Sequence, residues 1–176
     1  MKKITLSFLL PITALFIGPS EAVADERAFF RSPPTKISIH NPESTAHQRN
    51  RTTISLFVPD NAGTSLQGMV LSQIRGIDAW DWGHQQPELY IGNYGVHQRG
   101  RLGLANASIS EEGHDLTVHF EQAIEPGQQV NLVFRGINPK ADIYLWSTLL
   151  VPAGKRPLLS SGKTLRLQLY RPDYLH

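Results

Sequence analysis

The chain has 176 residues, no cysteine, and 17 Lys and Arg against 15 Asp and Glu, a formal net charge of +2. That length suits one domain with its own core. The missing cysteines exclude a disulfide framework, a thiolate nucleophile, a Cys-based metal site and a lipid-anchored lipoprotein, and the near-balanced charge lacks the basic stripe of a nucleic-acid binder.

The chain opens on Lys2 and Lys3, runs apolar over 4–18, and reaches Ala22-Val23-Ala24. A positive start, a short apolar run and small residues at peptidase spacing form the layout of a secretory signal peptide. Residues 1–24 are therefore expected to be a cleaved leader, cut after Ala24 or Ala22. The run is too short for a comfortable span, which needs about 20 apolar residues, and Pro11 interrupts it. The mature chain is expected to hold no transmembrane span and to sit in the periplasm or another extracytoplasmic compartment. Cleavage would remove Lys2, Lys3 and Glu21 and shrink the small positive excess further.

Residues 25–35 are polar, carry Pro33-Pro34, and read as a flexible N-terminal arm. From residue 36 to 172 the pattern is that of a single β domain, with 173–176 a tail. Apolar and polar residues alternate over 53–59 (Ile54, Leu56, Val58), 114–120 (Leu116, Val118, Phe120), 129–135 (Val130, Leu132, Phe134) and 164–170 (Leu165, Leu167, Leu169). Period-two runs predict half-buried strands. The run 143–151 is apolar on both faces and reads as a central strand. Shorter strands are expected over 36–40, 68–74, 88–92 and 107–110, and a helical turn over 61–66. Glu112-Gly113, Pro126-Gly127, Asn138-Pro139, Ala153-Gly154 and Ser161-Gly162 mark turns, where Gly supplies positive φ and Pro presets it. The fold class this predicts is all-β: an antiparallel two-sheet sandwich, immunoglobulin-like or Greek-key, with a closed β-barrel as the alternative.

Several short motifs recur in a recognisable order. They are Phe57-Val58-Pro59, Ala62-Gly63, Leu66, Pro126-Gly127, Val130, Asn138-Pro139, Tyr144, Val151-Pro152-Ala153-Gly154, Pro157 and Tyr170. The order resembles a family of small exported cyanobacterial proteins, domain of unknown function 2808, over residues 54–170. The approach to the final strand, Ser160-Ser161-Gly162-Lys163, matches that family's Gly-rich turn only in part. The resemblance implies an exported β domain. The family carries no assigned activity, so no catalytic residue transfers.

Four kinds of chemistry bear on the residues themselves. Seven histidines suggest metal, but His114 and His119 point to opposite faces of one strand and no His-x-His pair exists. No Gly-x-Ser-x-Gly elbow or Ser-x-x-Lys motif marks a nucleophile. Asp78 and Asp81 form a carboxylate pair, but nothing in their spacing enforces the separation of about 5–9 Å that a glycosidase needs. The densest candidate is aromatic: Trp80, Trp82, Tyr90 and Tyr94, with Asp81 among them, read as a ligand-binding surface. Rings beside carboxylate and amide groups stack on sugars, and Trp and Tyr anchor protein interfaces. The competing expectation is that Trp80 or Trp82 fills the core end of the sandwich.

These residues predict an exported, monomeric or weakly associating, non-catalytic binding or structural module of the cell envelope. No catalytic residue, metal or cofactor is expected. Its partner would be an envelope protein or glycan, with no nucleic acid. The alternatives are a hydrolase of envelope material using loop residues 78–101 and a periplasmic metal carrier.

Overall fold

The computed structural model describes residues 27–172; the predicted leader and the final tail, 173–176, lie outside the described residues. Among the described residues ten strands form: β1 (Ile37–His40), β2 (Arg49–Phe57), β3 (Leu66–Arg75), β4 (Glu88–Ile91), β5 (Ala105–Ile109), β6 (Asp115–Ile124), β7 (Gln129–Ile137), β8 (Ile143–Pro152), β9 (Ser160–Ser161) and β10 (Leu165–Gln168). There is no helix among the described residues. The strands make two antiparallel sheets, one in the order β1-β2-β7-β4 and one in the order β10-β8-β3-β6-β5, with β9 beside β10 on the far side of β8. The sheets do not close into a barrel. They are the two layers of a sandwich, each burying one face of alternating side chains against the other.

The period-two reading places the core correctly at most positions. Ile54, Leu56, Val58, Leu116, Val118, Phe120, Val130, Leu132, Phe134, Leu165 and Leu169 are all buried. Leu167 differs: it is half-buried. β10 is an edge strand, and only β1 of the opposite sheet approaches it, so the core is thin there. Along β8 burial alternates strictly, with Tyr144, Trp146, Thr148 and Leu150 inward and Ile143, Leu145 and Leu149 half-covered on the outer face. The strand is interior to its sheet, as its composition predicts.

Three expectations are corrected. The stretch 61–66 forms no helical turn: a tight turn closes with Ala62 N–H donating to Pro59 O at 3.0 Å, and Leu66 already belongs to β3. Of the N-terminal arm, the described residues 27–35 form no strand, yet they are docked. Arg31 N–H donates to Ala62 O, Ala28 N–H to Lys155 O, and Phe30 is buried. The outer face of the four-stranded sheet does not meet water along β2 and β7: Thr53, Ser55, Asn131 and Val133 are buried too. The reason is the β4–β5 connection, whose residues 92–100 lie across that face. Asn131 Nδ2 donates to Gly92 O at 2.8 Å, the Arg51 guanidinium donates to Val96 O and Gln98 O, and Tyr94 packs edge-on against His40 at 5.5 Å.

The turn motifs have visible duties. Gly127 adopts φ +83° and donates its N–H to Val58 O. Asn138 is buried, and its Nδ2 donates to Glu43 O at 2.8 Å and Thr45 O at 2.7 Å, fixing the long β1–β2 connection.

Candidate functional site

The segment between β3 and β4 crosses from one sheet to the other and closes one end of the sandwich. It is extended, so residues two apart share a side. Trp80 and Trp82 point into the core and Asp81 points out between them. Both tryptophans are 2% exposed. Trp80 packs on Tyr144 at 5.2 Å and on Trp146 at 5.4 Å; Trp82 packs on Phe134 at 5.1 Å and Trp146 at 5.7 Å. Edge-on and tilted rings at these distances are the favoured aromatic geometry. The Nε1 atoms of Trp80 and Trp146 find no hydrogen-bond partner among the described residues and are enclosed in this ring cluster. The tryptophans are thus the plug of the core. The expectation of an exposed aromatic face at Trp80 and Trp82 is corrected, because neither offers a ring to solvent.

Tyr144, below Trp80, donates its hydroxyl to Lys140 O at 2.8 Å. Burial, then the nearby carboxylates of Asp78 and Asp142, push its pKa up to about 12, so it remains a donor. Asp78 is itself held by Lys140 at 3.2 Å.

Asp81 is spent on backbone. Its Oδ2 accepts from Ile137 N–H and its Oδ1 from Gly83 N–H, each at 2.8 Å. These bonds lock the tryptophan segment against the end of β7. The contact is too close for side chains on the facing positions. A Cβ at Gly83, where φ is +82°, would stand 1.9 Å from Arg135 O, and one at Gly136 would stand 2.1 Å from Asp81 O. Trp80-Asp81-Trp82-Gly83 is therefore one structural clasp, with two rings in, one carboxylate along the backbone, and a glycine where the chains touch.

Tyr90 and Tyr94 lie elsewhere, on the covered outer face of the four-stranded sheet, and are half-buried. The Tyr90 hydroxyl accepts from Gly95 N–H at 3.1 Å. Desolvation, then Tyr90, raise the Tyr94 pKa, with Arg51 opposing. Both rings hold the 92–100 loop to the sheet. The structure does not bring the tyrosines and tryptophans into one patch.

Around the clasp it forms a different feature. A depression of about 490 Å³ is lined by Arg49, Asn50, Asp81, Gly83, His84, Gln85, Arg135, Gly136 and Ile137. The register of β2 on β7 sets Arg49 opposite Ile137 and Asn50 opposite Gly136, and the clasp brings 81–85 to the same end. Arg135 is shared with Glu88, whose Oε1 lies 2.9 Å from its guanidinium. Arg49 is exposed and makes no ion pair among the described residues. Buried Asn50 accepts through Oδ1 from Gly136 N–H, while its Nδ2 has no partner there. The lining thus mixes polar and apolar groups and carries two arginines against one aspartate. Of the five candidate ligand-binding residues read from the sequence only Asp81 reaches it, joined by His84 and Gln85 of the 78–101 stretch. Arg49, Asn50 and Arg135 were not expected there, since strand residues 86 positions apart meet only through the sheet register. Among the described residues no group of three or more His, Asp or Glu side chains is placed to hold a metal.

By architecture the molecule is a two-sheet antiparallel β-sandwich with one end plugged by tryptophan and bordered by this depression. The chain belongs to the family described as a protein of unknown function (DUF2808), which matches residues 27–169. The matched span takes in the docked N-terminal segment. No curated protein matches. Among solved structures the chain is similar to an uncharacterized protein from Nocardia farcinica with an immunoglobulin-like fold, at 11% identity and TM-score 0.47, covering 76% of this chain and 96% of that one. It is similar to the collagen-binding subdomain of the Enterococcus faecalis surface protein ACE, at 9% identity and TM-score 0.46, covering 75% and 95%. It is also similar to the major pilin subunit of Bacillus cereus, at 10% identity and TM-score 0.49, covering 78% of this chain and 41% of that one. These are likenesses of outline.

Proposed function

We propose that this protein is an exported, non-catalytic binding module of the cell envelope, and that it binds a carboxylate-bearing glycan at the depression beside the tryptophan clasp. The leader pattern and the family resemblance support the extracytoplasmic setting, in a cyanobacterial envelope. No helix of the described residues is long and apolar enough to cross a membrane.

The observation that carries the reading is an arginine in the lining of the depression that has no carboxylate partner among the described residues. Asp81 lines it, but both its oxygens are occupied by backbone N–H groups. Glu88 is matched by Arg135. Arg49 is left over, with His84 and Gln85 on the same wall. A guanidinium presents a planar fork suited to a carboxylate, and an open depression suits one unit of a polymer. The same facts favour binding over hydrolysis. Asp78, Asp81 and Glu88, the carboxylates a hydrolase would draw from residues 78–101, are each held in a structural contact.

Retention of the purified protein on immobilised polygalacturonate, with neutral dextran as the control matrix, tests this. Salt-sensitive retention on the acidic matrix, weakened at least tenfold by Arg49→Glu, is expected. Arg49 is exposed, so the substitution should shift stability by less than about 0.5 kcal/mol. Equal retention on dextran, or retention indifferent to Arg49→Glu, contradicts the proposal.

A further inference from the structure

β5 ends the larger sheet and pairs only with β6. Ser110 N–H donates to Asp115 O and Glu121 N–H to Leu104 O, which sets the phase of that ladder. Antiparallel bonding alternates along a strand. Residues 104, 106, 108 and 110 therefore face β6, and Ala105, Ala107 and Ile109 direct their N–H and C=O groups away from it. A free row of this kind is a template for another strand.

Natural edges are usually blunted by lysine, proline or a bulge. The β5 sequence Ala-Asn-Ala-Ser-Ile has neither a charge nor a proline. Its register with β6 runs without a shift. Protection comes from outside the strand. The Gln86 side chain accepts from Ala107 N–H through Oε1 at 2.6 Å and donates from Nε2 to Ala107 O at 3.2 Å. A primary amide offers the same donor and acceptor that a neighbouring backbone would offer, so one side chain occupies the central bonding position of the edge. Gln86 is set for this by its successor. Pro87 disfavours helical backbone in the residue before it, and Pro87 is itself buried, which anchors the turn. Exposed Ile109, Leu102 and Leu104 flank the position.

We infer that Gln86 closes the β5 edge against strand addition, and that the strand it excludes is β5 of a second copy of this chain. Antiparallel pairing of β5 with itself about Ala107 sets Ala105 opposite Ile109. The uncharged β5 sequence gives two copies no repulsion, and the Gln86 amide occupies the central bonding position of the edge. This inference is independent of the glycan reading, since neither Gln86 nor β5 lines that depression.

Light scattering across a concentration series tests it. The unaltered protein stays monomeric. Gln86→Ala shows a concentration-dependent rise toward twice the monomer mass, and Gln86→Glu, which keeps the acceptor and loses the donor, falls between them. Amide exchange gives a second reading on the unaltered protein, with Ala107 N–H protected and Ile109 N–H not. Gln86→Ala that stays monomeric at every concentration overturns the inference. So does association of the unaltered protein through β5. Should Gln86→Ala fail to fold, equal exchange at Ala107 and Ile109 in the unaltered protein overturns it by itself.

Discussion

Trp82 shows how much one residue in an irregular segment can fix. It belongs to no strand, yet it touches Phe134 of β7 and Trp146 of β8, and so ties the two sheets at one end. Replacing such a residue by alanine removes both transfer free energy and packing. Trp82→Ala should cost about 3–5 kcal/mol, read from chemical denaturation. The unaltered protein should show blue-shifted tryptophan emission shielded from a soluble quencher. Red-shifted, quencher-accessible emission together with a loss below about 0.5 kcal/mol, the size of an ordinary surface change, would contradict the placement. The density of aromatics near Trp80 was plain in the sequence; their direction was not. The segment 76–87 has no run long enough to show a period, and direction depends on where Gly83 and Gly136 let the backbones touch. Asp81 shows the same limit. A carboxylate that accepts from two backbone amides and a carboxylate free for a ligand are the same letter.

The strands were legible because their period matches the pleat. Leu116, Val118 and Phe120 declare a face by themselves, as do Val130, Leu132 and Phe134. Loops carry no such signal, and the 92–100 connection is the main element the sequence concealed. It reads as a polar, glycine-punctuated stretch, yet it covers Thr53, Ser55, Asn131 and Val133. What holds it is specific: Asn131 to Gly92 O, Tyr90 to Gly95, and the Arg51 fork on Val96 O and Gln98 O. Hydrogen bonds from a charged donor contribute about 1.5–3 kcal/mol. Arg51→Ala should therefore loosen this loop more than the domain. Limited trypsin digestion should cut faster after Arg99 and Arg101, while global stability falls by about 1–3 kcal/mol. Unchanged cleavage would mean that the loop is held by other contacts.

At the scale of the whole molecule, the sequence indicated two layers but not which strands would be neighbours. Pairing of β2 with β7 joins residues about 80 positions apart, and no local pattern encodes that choice. The candidate site is a product of that pairing. Arg49 and Asn50 begin one strand, Arg135, Gly136 and Ile137 end another, and 81–85 arrive from a crossing segment. Loops and strand ends gathered on a rigid scaffold are where binding residues commonly sit. The proposed carboxylate-bearing glycan binds at this end of the sandwich, beside Asp81 and Arg49 rather than on exposed tryptophans. A backbone amide NMR titration with a short oligogalacturonate tests it most directly. Saturable shifts confined to Arg49, Asn50, His84, Gln85, Gly136 and Ile137 are expected, with residues 92–100 unmoved. Shifts centred on Tyr90 and Tyr94, or none at saturating oligosaccharide, would contradict it.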